Sequence, residues 1–301
     1  MTTNKKNIFA TVLTYAAPSS NYRGESEENR TVLQKITRDG KEWTVISPES
    51  MRNALREVLA AKGLPMNRRR LHDEDQLAVE YKSFPDASAY ADDFLFGFMV
   101  ADNDAIKKNK SKPAKRDSVL RMNLAVALSP YRFDATFHQS PLSTTEGGKG
   151  TPPFKNASTS ALVHREVAHT AYQYPFALSG HDCAGNLGWC KALLAGIGEL
   201  SNVAGGHARS YFEMAPKSVV ARVTKSLVAG FDTYGFDAEG QFAELSRLEA
   251  EDDLPAAEFF VGGEIARAMN PERRTALAAK GVRFFDNPQA LLAALGEAAW
   301  S

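Results

Sequence analysis

TRDGKEWTVISPESMRNALREVLAAKG (residues 37–63) is the stretch whose reading decides the fold. An Asp39-Gly40 pair between two alternating segments, residues 32–37 and 41–46, predicts a tight hairpin. The second arm runs into a helix whose limits are marked: Ser47 at the N-cap, Pro48 at the first helical position, Gly63 beyond the last turn. Within it Met51, Ala54, Leu55, Val58 and Leu59 keep the i, i+3, i+4, i+7, i+8 spacing of a buried stripe, which leaves Arg52, Asn53 and Arg56 on another face. The Ser47 and Ser50 hydroxyls, the unpaired N–H groups and the positive dipole end make this helix start an anion site, and the two arginines one turn apart extend it.

Working outward, NIFATVLTY (residues 7–15) is β-branched and aromatic and predicts a first strand before the hairpin. After the helix, residues 64–116 give a mixed signal. They hold Arg68-Arg69-Arg70, an acidic patch at residues 72–75, the apolar FLFGFMVA (residues 94–101) and KKNKSKPAKR (residues 107–116), which reads as a mobile, solvated loop. VLRMNLAVALS (residues 119–129) reads as one strand with Leu120, Met122, Leu124, Val126 and Leu128 on one side. The Gly- and Pro-rich residues 140–158 form a protruding loop, and LVHREVAHTAYQYPF (residues 162–176) reads as a single long strand. A helix over residues 186–204, stopped by Gly205 and Gly206, and a strand over 217–226 complete the series.

Strand, helix, strand, strand, helix, strand is the split ferredoxin-like pattern, so the fold class is α+β. The C-terminal stretch adds EFFVGG (residues 258–263), a helix to about residue 280, VRFFD (residues 282–286) and a last helix. It reads as a small α/β appendage.

The chain has 301 residues, 44% of them hydrophobic and 24% charged, with 36 basic and 36 acidic side chains. This composition excludes intrinsic disorder and fibrous repeats. Two cysteines, Cys183 and Cys190, are too few for a disulfide framework and suit a reducing cytosol, with one bridge left open. The first residues read poorly as a signal peptide and no stretch approaches a membrane span, which leads us to expect a cytoplasmic protein with no membrane partner. Zero net charge argues against binding nucleic acid through the overall field. That zero hides segregation: residues 105–170 carry eleven basic against four acidic side chains, whereas residues 241–301 carry six against ten.

The hairpin leading into ISPESMRNALR resembles the strand-to-helix element of the repeat-associated RNA-binding superfamily of CRISPR proteins. The match lies on Ile46, Ser50, Met51, Arg52 and Arg56, with the proline one place out and Glu49 and Asn53 in place of glycines. VAGGHARSYF (residues 203–212) is similar to the superfamily's glycine-rich segment, with Gly205 and Gly206 admitting a sugar-phosphate backbone and Arg209 adding charge. AAPSSNYRGESEENRTVLQK (residues 16–35), with Asn21, Tyr22, Arg23 and Gly24, is similar to the backbone subunit of Cascade, in particular the DevR-like lineage of type I-B systems.

The resemblance implies a palm of RNA-recognition-motif type over residues 1–63, 117–133 and 161–230. It further implies a finger insertion over 64–116, a thumb loop over 134–160 and the appendage over 231–301. The guide RNA would lie on Asn21, Tyr22, Arg23, Ser47, Ser50, Arg52, Asn53, Arg56, Gly205, Gly206 and Arg209, with Lys149 and Lys155 reaching from the thumb. The partners implied are guide RNA (crRNA), target DNA, copies of the chain stacked as a filament and other Cascade subunits, with no cofactor. Type III relatives cut RNA with an aspartate after the first strand. Residues 16–31 contain Glu25, Glu27 and Glu28 but no Asp, so the expectation is a non-catalytic subunit. The alternative is a metal-independent guide-processing ribonuclease using a histidine base.

Other motifs point to packing. Leu95 to Val100 partly resembles an aromatic RNA-binding motif, but Asp92 and Asp93 stand where a basic residue is needed. His181, Cys183 and Cys190 match no common zinc spacing, so no metal site is expected. Ser179, His181 and Asp182 are too close in sequence for triad geometry, and FFVGGEIARAM lacks the third glycine of a dinucleotide fingerprint.

Overall fold

A computed structural model describes residues 5–19, 22–27, 30–69, 80–141, 160–201, 203 and 213–300. Its centre is a nine-stranded mixed sheet. We label its strands β1 (Asn7–Thr14), β2 (Lys35–Arg38), β3 (Lys41–Ile46), β4 (Leu120–Met122), β5 (Ala125–Ala127), β6 (Tyr172–Leu178), β7 (Pro216–Thr224), β8 (Phe259–Gly263) and β9 (Arg283–Phe285). The spatial order is β9-β8-β7-β1-β6-β5-β3-β2, with β4 also paired to β6. The central run β7-β1-β6-β5 is antiparallel throughout, as the split β-α-β-β-α-β pattern requires.

Both faces of that run are covered. On one side Ile8, Ala10 and Val12 of β1 pack against α1 (Pro48–Ala61), α2 (Leu187–Gly198) and α3 (Pro288–Trp300) through Met51, Leu55, Leu59, Leu193, Ile197 and Leu292. Each large aliphatic side chain buried this way contributes about 1.5–3 kcal/mol. On the other side Leu13 and Val220 meet Phe231, Phe236, Phe242, Leu245, Leu248 and Leu254, which the chain lays down after β7. β1 therefore shows an almost unbroken apolar run rather than alternation. Its buried Thr11 donates to the Thr233 carbonyl at 2.8 Å, tying the covering layer to the sheet.

The hairpin forms as the sequence predicts. Arg38 pairs with Lys41, and Asp39 and Gly40 take φ values of 52° and 70°, the left-handed pair that a two-residue turn needs. Only residues 35–38 of the first arm belong to it, because Arg30–Leu33 joins a separate four-stranded sheet.

Other expectations change. Residues 119–129 form two strands, since between Met122↔Phe176 and Val126↔Gln173 the register against β6 slips by one residue. A one-residue slip exchanges the faces. Leu120 and Met122 are followed on the helix side by Ala125 and Ala127, while Leu128 packs on the opposite core. The long strand expected over 162–176 is three: Ser160–Glu166 pairs with Ala135–Pro141, Ala168–Thr170 with Ala17–Ser19, and the rest is β6. Buried Glu166 fixes the break by accepting Leu33 N at 3.0 Å and Lys35 Nζ at 3.2 Å.

α2 stops at Gly198 rather than near residue 204, because Leu200 turns to accept Met214 N at 2.9 Å. KKNKSKPAKR is not a loose loop. Its first two lysines end the helix Asn103–Lys108, capped by Asp102, and Lys115–Arg116 pairs with Phe98–Met99. The segment read as an appendage extends the main sheet: β8 pairs with β7, β9 lies parallel to β8, and α3 packs in the same core as α1 and α2.

Gly263 tests this joint. Its φ is 87° and a Cβ there would run into the Lys217 carbonyl oxygen, whereas Gly40, φ 70°, has open space around it. Gly263→Ala should destabilise the protein by more than about 1 kcal/mol. Gly40→Asn should stay near wild type, since Asn tolerates the left-handed region. Thermal unfolding of both variants is the measurement.

Candidate nucleic-acid interface

Local chemistry builds the start of α1. Ser47 is extended, φ −70° and ψ 147°, and its Oγ accepts from Ser50 N at 3.2 Å while lying 3.0 Å from Ser50 Oγ. Both hydroxyls that the sequence assigned to an anion are thus engaged in capping. Glu49 in the first turn complements the dipole and sits beside Arg52.

Arg52 and Arg56 do not project freely from a polar face as the spacing of the apolar stripe suggests. Both are half-buried, Arg52 against β4 and Arg56 under the insertion that follows α1. Arg52 donates through Nη2 to the Leu120 carbonyl at 3.4 Å, next to Arg121 on β4. Arg56 donates through Nη1 to Asn53 Oδ1 at 3.0 Å, and its guanidinium carbon lies 4.6 Å from the centre of the Phe96 ring. The Nε atoms of both arginines are buried with no hydrogen-bond partner. Burial lowers the proton affinity of Arg52, with Glu49 opposing and Arg121 adding to the effect. Burial, then the like charge of Arg68, pulls Arg56 down to about 10, with Asp92 and Tyr81 opposing.

Three residues that the sequence reading did not assign join them. Arg68 pairs with Tyr81 across a short two-stranded ribbon, and its backbone N–H donates to Asp92 Oδ2 at 2.8 Å. Arg121 points outward between buried Leu120 and Met122, 3.9 Å from Asp182. Phe96 ends the short helix Ala91–Phe96. The outward phase of Arg121 and the triple-arginine run were legible signals for two of them. The Phe96 contact arises only in tertiary structure.

Asn21, Lys149, Lys155, Gly205, Gly206 and Arg209 lie outside the described residues, as do the side chains of Tyr22 and Arg23. The backbone of Tyr22–Glu27 forms a strand against Arg30–Leu33. The ribbon of Ala135–Pro141 and Ser160–Glu166 carries Phe137, 65% exposed, with its ring 4.0 Å from that of His164. At its foot Lys41, Arg132, Phe133 and His169 line an open cleft of about 730 Å³.

The remaining polar motifs have structural partners. Ser179 caps the helix Gly180–Cys183 by accepting from Asp182 N, and Asp182 faces Arg121. Cys183 and Cys190 are free, buried thiols, and the contact with Cys190 together with burial pushes the Cys183 thiol up. Asp92 and Asp93 are buried, and accept from Asn67 N, Arg68 N, Asn67 Nδ2 and Asp86 N.

A base whose proton affinity falls on folding is a cost to the fold wherever it is charged, here at every pH below about 10. Arg56→Met keeps the stem over Phe96 and removes the charge. It should raise the thermal midpoint by a few degrees at neutral pH, with the gain shrinking as the pH rises past about 10, read by calorimetry across that range.

No family model matches the chain. It is 31% identical over 284 residues to the CRISPR-associated protein Cas7/Cst2/DevR of Myxococcus xanthus (strain DK1622), covering 90% of this chain and 91% of that protein. Its fold is similar to a chain of a solved CRISPR RNA-guided surveillance complex, pre-nicking, with TM-score 0.57 and 13% identity, covering 97% and 100% of the two chains. A chain of a second CRISPR RNA-guided surveillance complex gives TM-score 0.53 at 17% identity, covering 97% and 99%. With that identity sustained along nearly the whole of both proteins, the chain belongs to the Cas7/Cst2/DevR family of CRISPR-associated proteins.

Proposed function

We propose that the chain is the non-catalytic guide-RNA-binding backbone subunit of a type I CRISPR surveillance complex, in the DevR-like type I-B branch. In this reading several copies stack along one RNA and hold its spacer for pairing with target DNA, beside other subunits of the complex. The observation that carries the reading is the state of Arg52 and Arg56. Two guanidinium groups are kept charged and partly dehydrated on one helix face, each with a buried Nε that has no partner. A buried donor without a partner and a lowered proton affinity are both costs to the free protein. A phosphate diester offsets the second, because its oxygens accept charge-assisted hydrogen bonds from the guanidinium groups and its charge stabilises the cation.

Backbone binding also suits the covered sheet. RNA-recognition motifs stack bases on an open sheet face, but here Leu13 and Val220 on that face lie under Phe231 to Leu254. Contacts made through phosphates carry no sequence information, which is what a subunit serving any guide requires. The palm, finger and thumb division belongs to the same proposal. The exposed Phe137 stands on the ribbon that would be the thumb and offers an aromatic surface to an unstacked base.

If about six phosphates are contacted per subunit, the log-log salt slope of binding to single-stranded RNA should be about −4. The Arg52→Glu/Arg56→Glu double variant should lose binding at salt concentrations where the wild type is saturated, while unfolding cooperatively. Fluorescence anisotropy against a salt series is the measurement. A nearly salt-independent affinity, or unchanged binding by the double variant, overturns the reading. Cleavage of repeat RNA by the purified chain in chelator would instead favour the guide-processing ribonuclease.

A further inference from the structure

Resting on the strand-binding reading above, we propose that the insertion following α1 is itself part of the phosphate site: Arg68 is a direct phosphate ligand, and Phe96 is a positioning residue that aims Arg56 beside it. Two routes through the insertion meet at the same place. Along the first, the stem of Arg56 leaves α1 and its guanidinium carbon lies 4.6 Å from the centre of the Phe96 ring. A planar cation stacked on an aromatic loses several rotamers but keeps its edge open for hydrogen bonds. Nη1 is held by Asn53, and Nε is buried and unpartnered. The group is therefore oriented yet left short of acceptors.

Along the second route, one turn before Phe96, the Asp92 carboxylate receives the backbone N–H groups of Asn67 at 2.9 Å and Arg68 at 2.8 Å. Asp93 receives Asn67 Nδ2 at 2.8 Å and Asp86 N at 2.8 Å, and Asn67 Oδ1 accepts Ser83 N at 3.0 Å. All three side chains are buried. This network locks the strand that carries Arg68 to the same short helix that carries Phe96. Arg68 lies near enough to Arg56 for its charge to be the second cause of the lowered Arg56 proton affinity.

Two like charges brought together by a built network, rather than separated by it, form an arrangement that the free protein holds at a cost. Asp92 and Asp93 moderate that repulsion, but their oxygens already accept backbone and amide N–H groups. The ligand class that fits is a phosphate of a single strand, received between the guanidinium groups of Arg56 and Arg68. Arg52 and the outward Arg121 continue the row along β4.

The test uses the full chain and labelled oligouridine RNA in an anisotropy salt series. Arg68→Gln should weaken binding about tenfold and make the salt slope shallower by about 0.7, the signature of one lost phosphate contact. Phe96→Leu should weaken binding in wild type but add nothing in an Arg56→Gln background, while Phe96→Tyr should restore the wild-type value. That non-additivity identifies positioning through Arg56. Far-UV circular dichroism and thermal unfolding of each variant check that the folded fraction is the one titrated. An unchanged slope for Arg68→Gln overturns the ligand role. A Phe96→Leu loss that is equal in both backgrounds overturns the positioning role, and points to packing alone. Failure of the wild-type chain to bind RNA would instead remove the reading on which this rests.

Discussion

Burial of the central strands on both faces is the constraint from which the rest of the structure follows. β1, β6 and β7 sit between a helical layer and the layer built by residues 231–256, so their backbone and side chains are withdrawn from solvent. Polar groups on them must then be matched. Gln173 exchanges two hydrogen bonds with the Phe236 backbone, each 3.0 Å, and Tyr174 donates to the Met214 carbonyl at 3.1 Å. The Gln173 bonds also pin the covering segment to the sheet, so a polar residue of β6 helps to specify the second layer. With the faces occupied, the helix start, the strand ends and the insertions are left for the proposed RNA contacts.

That placement explains why a half-buried arginine pair is tolerated. α1 puts Met51, Leu55 and Leu59 fully into the core, which fixes the rotation of the helix and therefore the direction of Arg52 and Arg56. The insertion then closes over the Arg56 stem, and β4 lies against Arg52. The apolar parts of the side chains gain contact with Phe96 and the strand, while the charged ends lose water. In the proposed phosphate site, core packing would supply the rigidity and a local electrostatic cost the affinity. The same logic accounts for the acids buried in the insertion, which act as acceptors for backbone N–H groups that a short, irregular segment cannot satisfy within itself.

Local signals were legible and non-local ones were not. The Asp39-Gly40 turn, the caps of α1 and the strand-helix order all depend on neighbours in sequence, and each is present in the structure. The break at Glu166, the slip between β4 and β5 and the early end of α2 depend on partners far along the chain, Leu33, β6 and Met214. Period-two alternation cannot show a register slip, since the apolar residues on either side of it continue the pattern in both phases. On α1, the burial of Arg56 was not legible, because Phe96 arrives from a segment whose own periodicity is too short to place it. The two serines take part in the cap of α1, as the sequence placed Ser47 there.

Charge segregation acquires a structural meaning from the ion pairs. In the acidic C-terminal part, Glu244 and Asp253 are held by Arg247, Glu249 by Arg273, Glu258 by Arg222, Glu264 by Lys217, Asp286 by Arg274 and Glu297 by Lys191. Most of that negative charge is therefore neutralised within a few ångströms of its source, and its field decays quickly in salt. Among the described residues of the basic middle, Lys107 and Lys112 have such partners in Asp104 and Asp86, but no ion pair holds Lys108, Lys110, Lys115 or Arg132. A chain of zero net charge thus presents an internally compensated tail and an insertion whose cations still face outward. An approaching polyanion meets attraction on the insertion side and little repulsion elsewhere, so orientation at encounter is set before any specific contact forms.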